Sequence, residues 1–272
     1  MRFNGRCGLP RYSRVSSAAV PESTLHLYLT LTEIGVAIPT LVALLWISAP
    51  YGRHARDGWG PTIGNRTGWI VMELPASLLF LLIFFLGAHS LEVVPLILLT
   101  AWQLHYIHRT FIFPFRLRGP GKRMPLSIPL MAIVFNSLNA YISARWISHL
   151  GYYDVSWLTD PRFVIGALVF LTGLAINLHA DTVLINLRKP GEKGYKIPRG
   201  GLYRYVTCPN YLGEIIEWTG WAIMTWSLPG LAFAIYTAAN VGPRALTNHR
   251  WYLEKFGDQY PKARRALIPF LL

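Results

Sequence analysis

The stretch FVIGALVFLTGLAINLHADTVLIN, Phe163 to Asn186, holds no Lys, Arg or Glu and a single Asp, Asp181, close to its end. A helix needs about 20 predominantly apolar residues to cross a bilayer, and this run supplies them. Similar runs lie at 25–47, 68–86, 91–113 and 127–147. The remaining apolar block, 210–247, is too long for one crossing. It is interrupted by Ser227-Leu228-Pro229-Gly230, a tight turn between two shorter helices. The expected fold is therefore an all-α integral membrane protein with seven transmembrane helices. Residues 25–272 form one membrane domain after an extramembrane segment, 1–24.

Composition supports this class and excludes another. The 272 residues are 53% hydrophobic and 14% charged, yet 26 Lys/Arg against 13 Asp/Glu leave a net charge of +13. Mean hydropathy is +0.33. A soluble DNA-binding domain would carry far more solvated charge, so nucleic acid is not the expected partner. The surplus instead orients the chain. Loops 49–67, 114–126 and 187–209 and the tail 248–272 hold 18 of the 26 cations, which places them in the cytoplasm and the N-terminus outside. Arg2, Arg6, Arg11 and Arg14 resemble a signal n-region, but no small-residue cleavage site follows, so the first helix is retained. Cys7 and Cys208 fall on opposite sides and cannot pair within one chain.

Ionisable residues within the spans mark a functional interior. Glu73 begins the second span; His105, Tyr106, His108 and Arg109 end the third; Asn177 and Asp181 end the fifth. Asn210, Glu214 and Glu217 begin the sixth, and Arg244 ends the seventh. All lie toward the inner half, and spacings of three and four put each set on one helical face. The bland alternative is that such stripes only knit helices together. Glu33 and Arg145 lie toward the outer half, where capping, snorkelling or a structural ion pair is expected. The loop 187–209 sets six cations among glycines, prolines and tyrosines, a composition that suits a phosphate-bearing ligand. No G-x-G-x-x-G after a strand, P-loop, H-E-x-x-H or G-x-S-x-G occurs. His105 and His108 lack an obvious carboxylate partner, so no metal site is expected.

Six motifs together resemble the steroid 5α-reductase family: Glu73-Leu74-Pro75, His105-Tyr106-Ile107-His108-Arg109-Thr110, Ile176-Asn177-Leu178-His179-Ala180-Asp181, Leu187-Arg188-Lys189-Pro190-Gly191-Glu192, Asn210-Tyr211-Leu212-Gly213-Glu214-Ile215-Ile216-Glu217-Trp218 and Ala266-Leu267-Ile268-Pro269-Phe270. The likeness runs from about Glu73 to the C-terminus; the first 60 residues carry little of it. The Asn210–Glu214 piece alone also resembles sterol reductases and isoprenylcysteine or phospholipid methyltransferases.

The resemblance implies NADPH-dependent reduction of the C4–C5 double bond of a 3-oxo-Δ4-steroid such as testosterone or progesterone. Hydride arrives at C5 and charge develops on the C3 oxygen, where preplaced donors stabilise the transition state. By resemblance these are the catalytic residues Tyr106 and Glu73, the latter donating only when protonated. Cofactor binding carries over to Asn177, Asp181, Arg188, Tyr195, Asn210, Glu214, Arg244, Asn248 and Tyr252. Asn210 and Glu214 would hold the nicotinamide amide, Arg188 and Arg244 would meet phosphates, and Arg109 would pair with phosphate or lock an acidic neighbour. Glu217 would be an orienting residue or a helix-packing acid.

Two positions depart from the pattern. Met72 stands where the family often has Gln, which bears on substrate preference, and Thr247-Asn248-His249 replaces a more His-rich run, so a contact from Asn248 would be a different hydrogen bond. These departures read as a divergent, microbial member. The host membrane is the inner membrane in a bacterium or the endoplasmic reticulum in a eukaryote. Rival readings are an integral-membrane methyltransferase using S-adenosylmethionine, which has no need of Glu73 or Tyr106, and a non-catalytic sterol-binding protein.

Overall fold

A computed structural model of the chain describes residues 20–117, 121–188, 192 and 194–272. Cys7, the four N-terminal arginines, Arg118, Lys189 and Lys193 lie outside them. The described residues form mostly helix: α1 Glu22–Trp46, α2 Asn65–Leu74, α3 Phe80–Phe85, α4 Val93–Ile107, α5 Phe113–Arg116, α6 Ser127–Arg145, α7 Pro161–Asn186, α8 Pro209–Thr225 and α9 Leu228–Phe256. A π-helical turn at Pro75–Leu79 joins α2 to α3, one at His108–Ile112 joins α4 to α5, and one at Trp146–Leu150 extends α6. Helix thus occupies each of the seven expected stretches. Four of these rods, Glu22–Trp46, Asn65–Phe85, Ser127–Leu150 and Pro161–Asn186, are long and apolar enough to cross a membrane.

The boundaries differ from expectation at two points. The break before α9 comes earlier than Ser227–Gly230: Trp226 turns the chain at φ 44°, Ser227 caps the Gly230 N–H, and Leu228 already opens the helix. The last helix then runs on to Phe256, so the segment after 248 begins as helix. A short antiparallel pair, β1 Thr62–Gly64 with β2 Arg123–Pro125, was not legible as strand and clips together the loops before α2 and α6. The C-terminal segment folds back on the start of α8, where Thr207 and Cys208 donate backbone N–H groups to Arg265 and Ala266 at 2.8 and 3.1 Å.

Two packing features position the site. In the first, α7 and α8 meet through glycines: Gly166 and Gly173 on one helix, Gly213 and Gly220 on the other. A Cβ on Gly173 would lie 2.6 Å from the Gly213 carbonyl oxygen, and one on Gly213 would lie 2.6 Å from the Asn177 nitrogen. This close approach, available only to small residues, brings the Asn177/Asp181 face of α7 onto the start of α8. In the second, the π turn after Glu73 leaves carbonyl groups free of the regular helix ladder. Trp102 donates to Ala76 at 2.7 Å and Gln103 to Ser77 at 3.0 Å, which ties α4 to that turn. Trp102 then stacks on Phe80 at 4.4 Å and meets Trp218 at 5.3 Å, at the centre of an aromatic core.

Outer-end residues are paired as expected in one case and not in the other. Arg145 holds both carboxylate oxygens of Glu22 at 2.7 and 2.8 Å. Glu33, by contrast, is fully buried, and among the described residues neither oxygen has a hydrogen-bond partner, so no cap or ion pair is seen there. Between α6 and α7, Asp160 accepts from the Arg162 N–H, and its hydrogen bonds with that residue pull its carboxyl down to about 2.

The glycine interface yields a test. Gly173→Val should destabilise the protein by about 3 kcal/mol through overpacking, read as a lowered melting temperature in detergent. Gly35→Val, on α1 where an added Cβ meets nothing within 4 Å, should leave it nearly unchanged.

Candidate active site

Arg109, in the π turn after α4, is the hub. Its guanidinium reaches Asp181 of α7 at 3.2 Å and Glu73 of α2 at 3.9 Å. It also lies over the rings of Trp69 and Phe113 at 4.7 and 4.8 Å, a setting that favours a planar cation. Glu214 of α8 is a further electrostatic neighbour of Arg109. The second Asp181 oxygen accepts from Asn210 at 3.1 Å, and Asn177 donates to the Asn210 carbonyl at 3.0 Å. The structure therefore joins Glu73, Arg109, Asn177, Asp181 and Asn210 in one buried network. Of the two roles expected for Arg109, it shows the partnership with acids.

Asn136 of α6 completes the setting of Glu73 and was missed from sequence. Its amide donates to the Met72 carbonyl at 2.6 Å and approaches Glu73 Oε2 at 3.4 Å. An Asn facing inward one helix away carries no local motif, so only the fold could reveal it. Tyr106 is 4% exposed, with its ring 4.9 Å from Trp102 and 5.7 Å from Trp218. Its hydroxyl makes no hydrogen bond among the described residues. Glu73 is an electrostatic neighbour of it.

One sequence expectation is corrected here. His105 does have a carboxylate partner, because its Nδ1 lies 2.8 Å from Glu217 Oε1, with both side chains buried. The two residues are far apart in the chain and meet only because α4 crosses α8. His105 packs edge-on to Tyr106 at 4.9 Å, so a line of contacts runs from Glu217 through His105 to Tyr106. Among the described residues no group of three His, Cys, Asp or Glu could hold a metal ion.

The remaining predicted residues gather in a second compartment. A cavity of about 260 Å³ is lined by Arg188, Tyr195, Asn210, Arg244, Asn248 and Tyr252. Asn210 belongs to both places, at the cavity wall and on Asp181. The wall also includes Tyr51, Arg53 and His54 from the loop after α1, which the sequence reading set aside, and Lys122. Among the described residues four cations and no carboxylate line it, a donor set that suits a ligand bearing phosphates. Arg53 lies over Tyr252 and Trp251 at 4.6 and 5.0 Å and has a buried Nη1 with no hydrogen-bond partner among the described residues. Arg244 donates to the hydroxyls of Tyr51 and, at 3.1 Å, Tyr211. Cys208 lines the same cavity, and burial pushes its thiol up to about 11, so it stays protonated and unreactive at neutral pH.

Comparison with known proteins places this geometry. The chain matches the family model described as 3-oxo-5-alpha-steroid 4-dehydrogenase over residues 122–272. The steroid 5-alpha-reductase DET2 of Arabidopsis thaliana is 47% identical over 93% of this chain and 98% of its own length. The chain belongs to the 3-oxo-5-alpha-steroid 4-dehydrogenase family. Another relative, 3-oxo-5-alpha-steroid 4-dehydrogenase 1 of Homo sapiens, is 44% identical over 94% of this chain and 99% of its own. Likeness to this family at such coverage reaches beyond the stretch from Glu73 onward and takes in most of the first 60 residues, where Tyr51-Gly52-Arg53-His54 lies.

His54 gives the cavity a pH signature. Burial holds its imidazole below the usual value, against a 3.0 Å hydrogen bond with Asn248, and Arg53 and Arg56 add to the depression. A lowered folded-state value means that its contribution to stability is complete above about pH 6.5 and is lost as pH falls toward the folded value. The melting temperature should therefore drop more steeply on acidification in the wild type than in His54→Asn. Equal slopes would refute a neutral, half-buried His54.

Proposed function

We propose that the chain reduces the C4–C5 double bond of 3-oxo-Δ4-steroids, with the steroid's C3 oxygen at Tyr106 and Glu73 and NADPH in the adjoining cationic cavity. The observation that carries this reading is the Tyr106 hydroxyl, without a hydrogen-bond partner among the described residues on a side chain only 4% exposed, in the same bundle interior as a carboxyl that Asn136 and Arg109 hold from two sides. A hydroxyl of this kind is free to donate to a ligand oxygen without first breaking a protein hydrogen bond.

Tyr106 donates to the C3 oxygen as negative charge accumulates there, and the aromatic walls keep water from competing. Glu73 is the second donor in its protonated form. Asp181 takes the shorter contact with Arg109, so the guanidinium charge is answered there and Glu73 can remain a neutral acid. Bound reduced nicotinamide supplies the hydride for C5; C4 takes its proton from water. On the cofactor side, Asn210 and Glu214 hold the nicotinamide amide. Arg188, Arg244, Arg53 and Lys122 surround the phosphates, with Tyr195, Asn248 and Tyr252 shaping the cavity. Asn177 and Asp181 act by fixing Asn210.

In the membrane, the seven helical stretches cross with the N-terminus outside and the C-terminus in the cytoplasm, so that the cationic cavity opens where cytoplasmic cofactor is available. The host is the bacterial inner membrane or the endoplasmic reticulum.

The test is turnover of testosterone or progesterone by purified protein with NADPH against NADH, detected as a gain of two hydrogens. Tyr106→Phe and Glu73→Gln should each lower turnover by about tenfold or more. Unchanged rates in both variants would remove the proposed donor pair. Methyl transfer from labelled S-adenosylmethionine, without hydrogen gain by the steroid, would replace the reading altogether.

A further inference from the structure

The face of α7 turned away from the cluster leads into a groove. Val164, Leu168 and Leu171 are 43, 62 and 51% exposed, and their spacing continues through Ala175 to His179 on one helical face. This apolar stripe runs directly into a groove of about 910 Å³ lined by Ala175, Ile176, His179, Arg199, Arg204 and Arg264. No Asp or Glu lines it.

Arg264 carries the argument. It is 4% exposed, lies 5.1 Å over the Tyr260 ring, and donates from Nη2 to the Pro198 carbonyl at 3.2 Å. Its buried Nε and Nη1 have no hydrogen-bond partner among the described residues. Unmet donors on a buried cation are costly and call for an acceptor that carries charge. The groove's wall is also preformed. Gly201, at φ 49°, is seated against α7 so closely that a Cβ there would meet His179 Nε2 at 2.5 Å. Beyond the rim, Tyr205 pairs with Phe270 at 5.8 Å, and Phe270 and Leu271 are 78 and 80% exposed, as at a membrane interface.

We propose that this groove binds an anionic phospholipid, with its phosphate at Arg264, Arg199 and Arg204 and an acyl chain along the Val164–Ala175 stripe of α7. Free phosphate shares the headgroup chemistry. The continuous apolar stripe selects the lipid, since a soluble anion would make no use of it.

Native mass spectrometry of the full chain in detergent, titrated with phosphatidylglycerol, phosphatidylcholine or inorganic phosphate, tests the site independently of any catalytic reading. Phosphatidylglycerol should bind about tenfold more tightly than phosphatidylcholine and should not be displaced by an equal concentration of inorganic phosphate. In the double variant Arg199→Gln/Arg204→Gln, both positions being exposed, phosphatidylglycerol affinity should fall about tenfold or more, with phosphatidylcholine unaffected. If that variant fails to fold, Arg204→Gln alone should give about a fivefold loss. Equal binding of the two lipids, displacement by inorganic phosphate, or undiminished phosphatidylglycerol binding in the variants would each overturn the proposal.

Discussion

The contact between Arg109 and the two carboxylates of Asp181 and Glu73 is the constraint on which the site depends. A guanidinium so deeply placed in an apolar bundle needs paired charge and aromatic faces, or its burial is prohibitive. Trp69 and Phe113 provide the faces, α7 provides the closer acid, Asp181, and α2 the farther one, Glu73. Because the two acids come from different helices, the interaction also sets where those helices stand. Its unequal distances matter to the proposed chemistry, in which the closer acid stays ionised while the farther one keeps a proton.

Helix packing makes that contact possible. The glycines of α7 and α8 let the backbones approach until Asn177 reaches the Asn210 carbonyl, and Asn210 then holds Asp181 from the side opposite Arg109. Asn210 also forms part of the cavity wall. One short chain of contacts thus runs from the cationic cavity through Asn210 and Asp181 to Arg109 and Glu73. On the proposed reading, a cofactor seated in the cavity and a substrate held at Tyr106 are linked through these side chains.

What the sequence disclosed, and what it hid, follows from the range of each signal. Span lengths and same-face polar residues are local properties, so the helical stretches and the convergence of Glu73, Arg109 and Asp181 were legible. Partnerships between distant segments were not. Glu217 could not be matched to His105, nor Asn136 to Glu73, because their meeting depends on which helices cross. The aromatic-cationic run Tyr51–His54 carries its own signal, cations beside rings, but belongs to the cavity only because its loop folds against α9. Glu33 shows the reverse error: its depth suggested capping, snorkelling or an ion pair, and among the described residues its buried oxygens have no hydrogen-bond partner.

If Arg109 couples Glu73 to Asp181, the two acids cannot act independently. The most direct measurement is a double-mutant cycle on kcat/KM with Glu73→Gln, Asp181→Asn and the combined variant. Loss of Asp181 turns the Arg109 charge onto Glu73, a route already closed once Glu73 is Gln. The account predicts a combined loss smaller than the product of the single losses by about fivefold, or about 1 kcal/mol of coupling. Losses that simply multiply would contradict it.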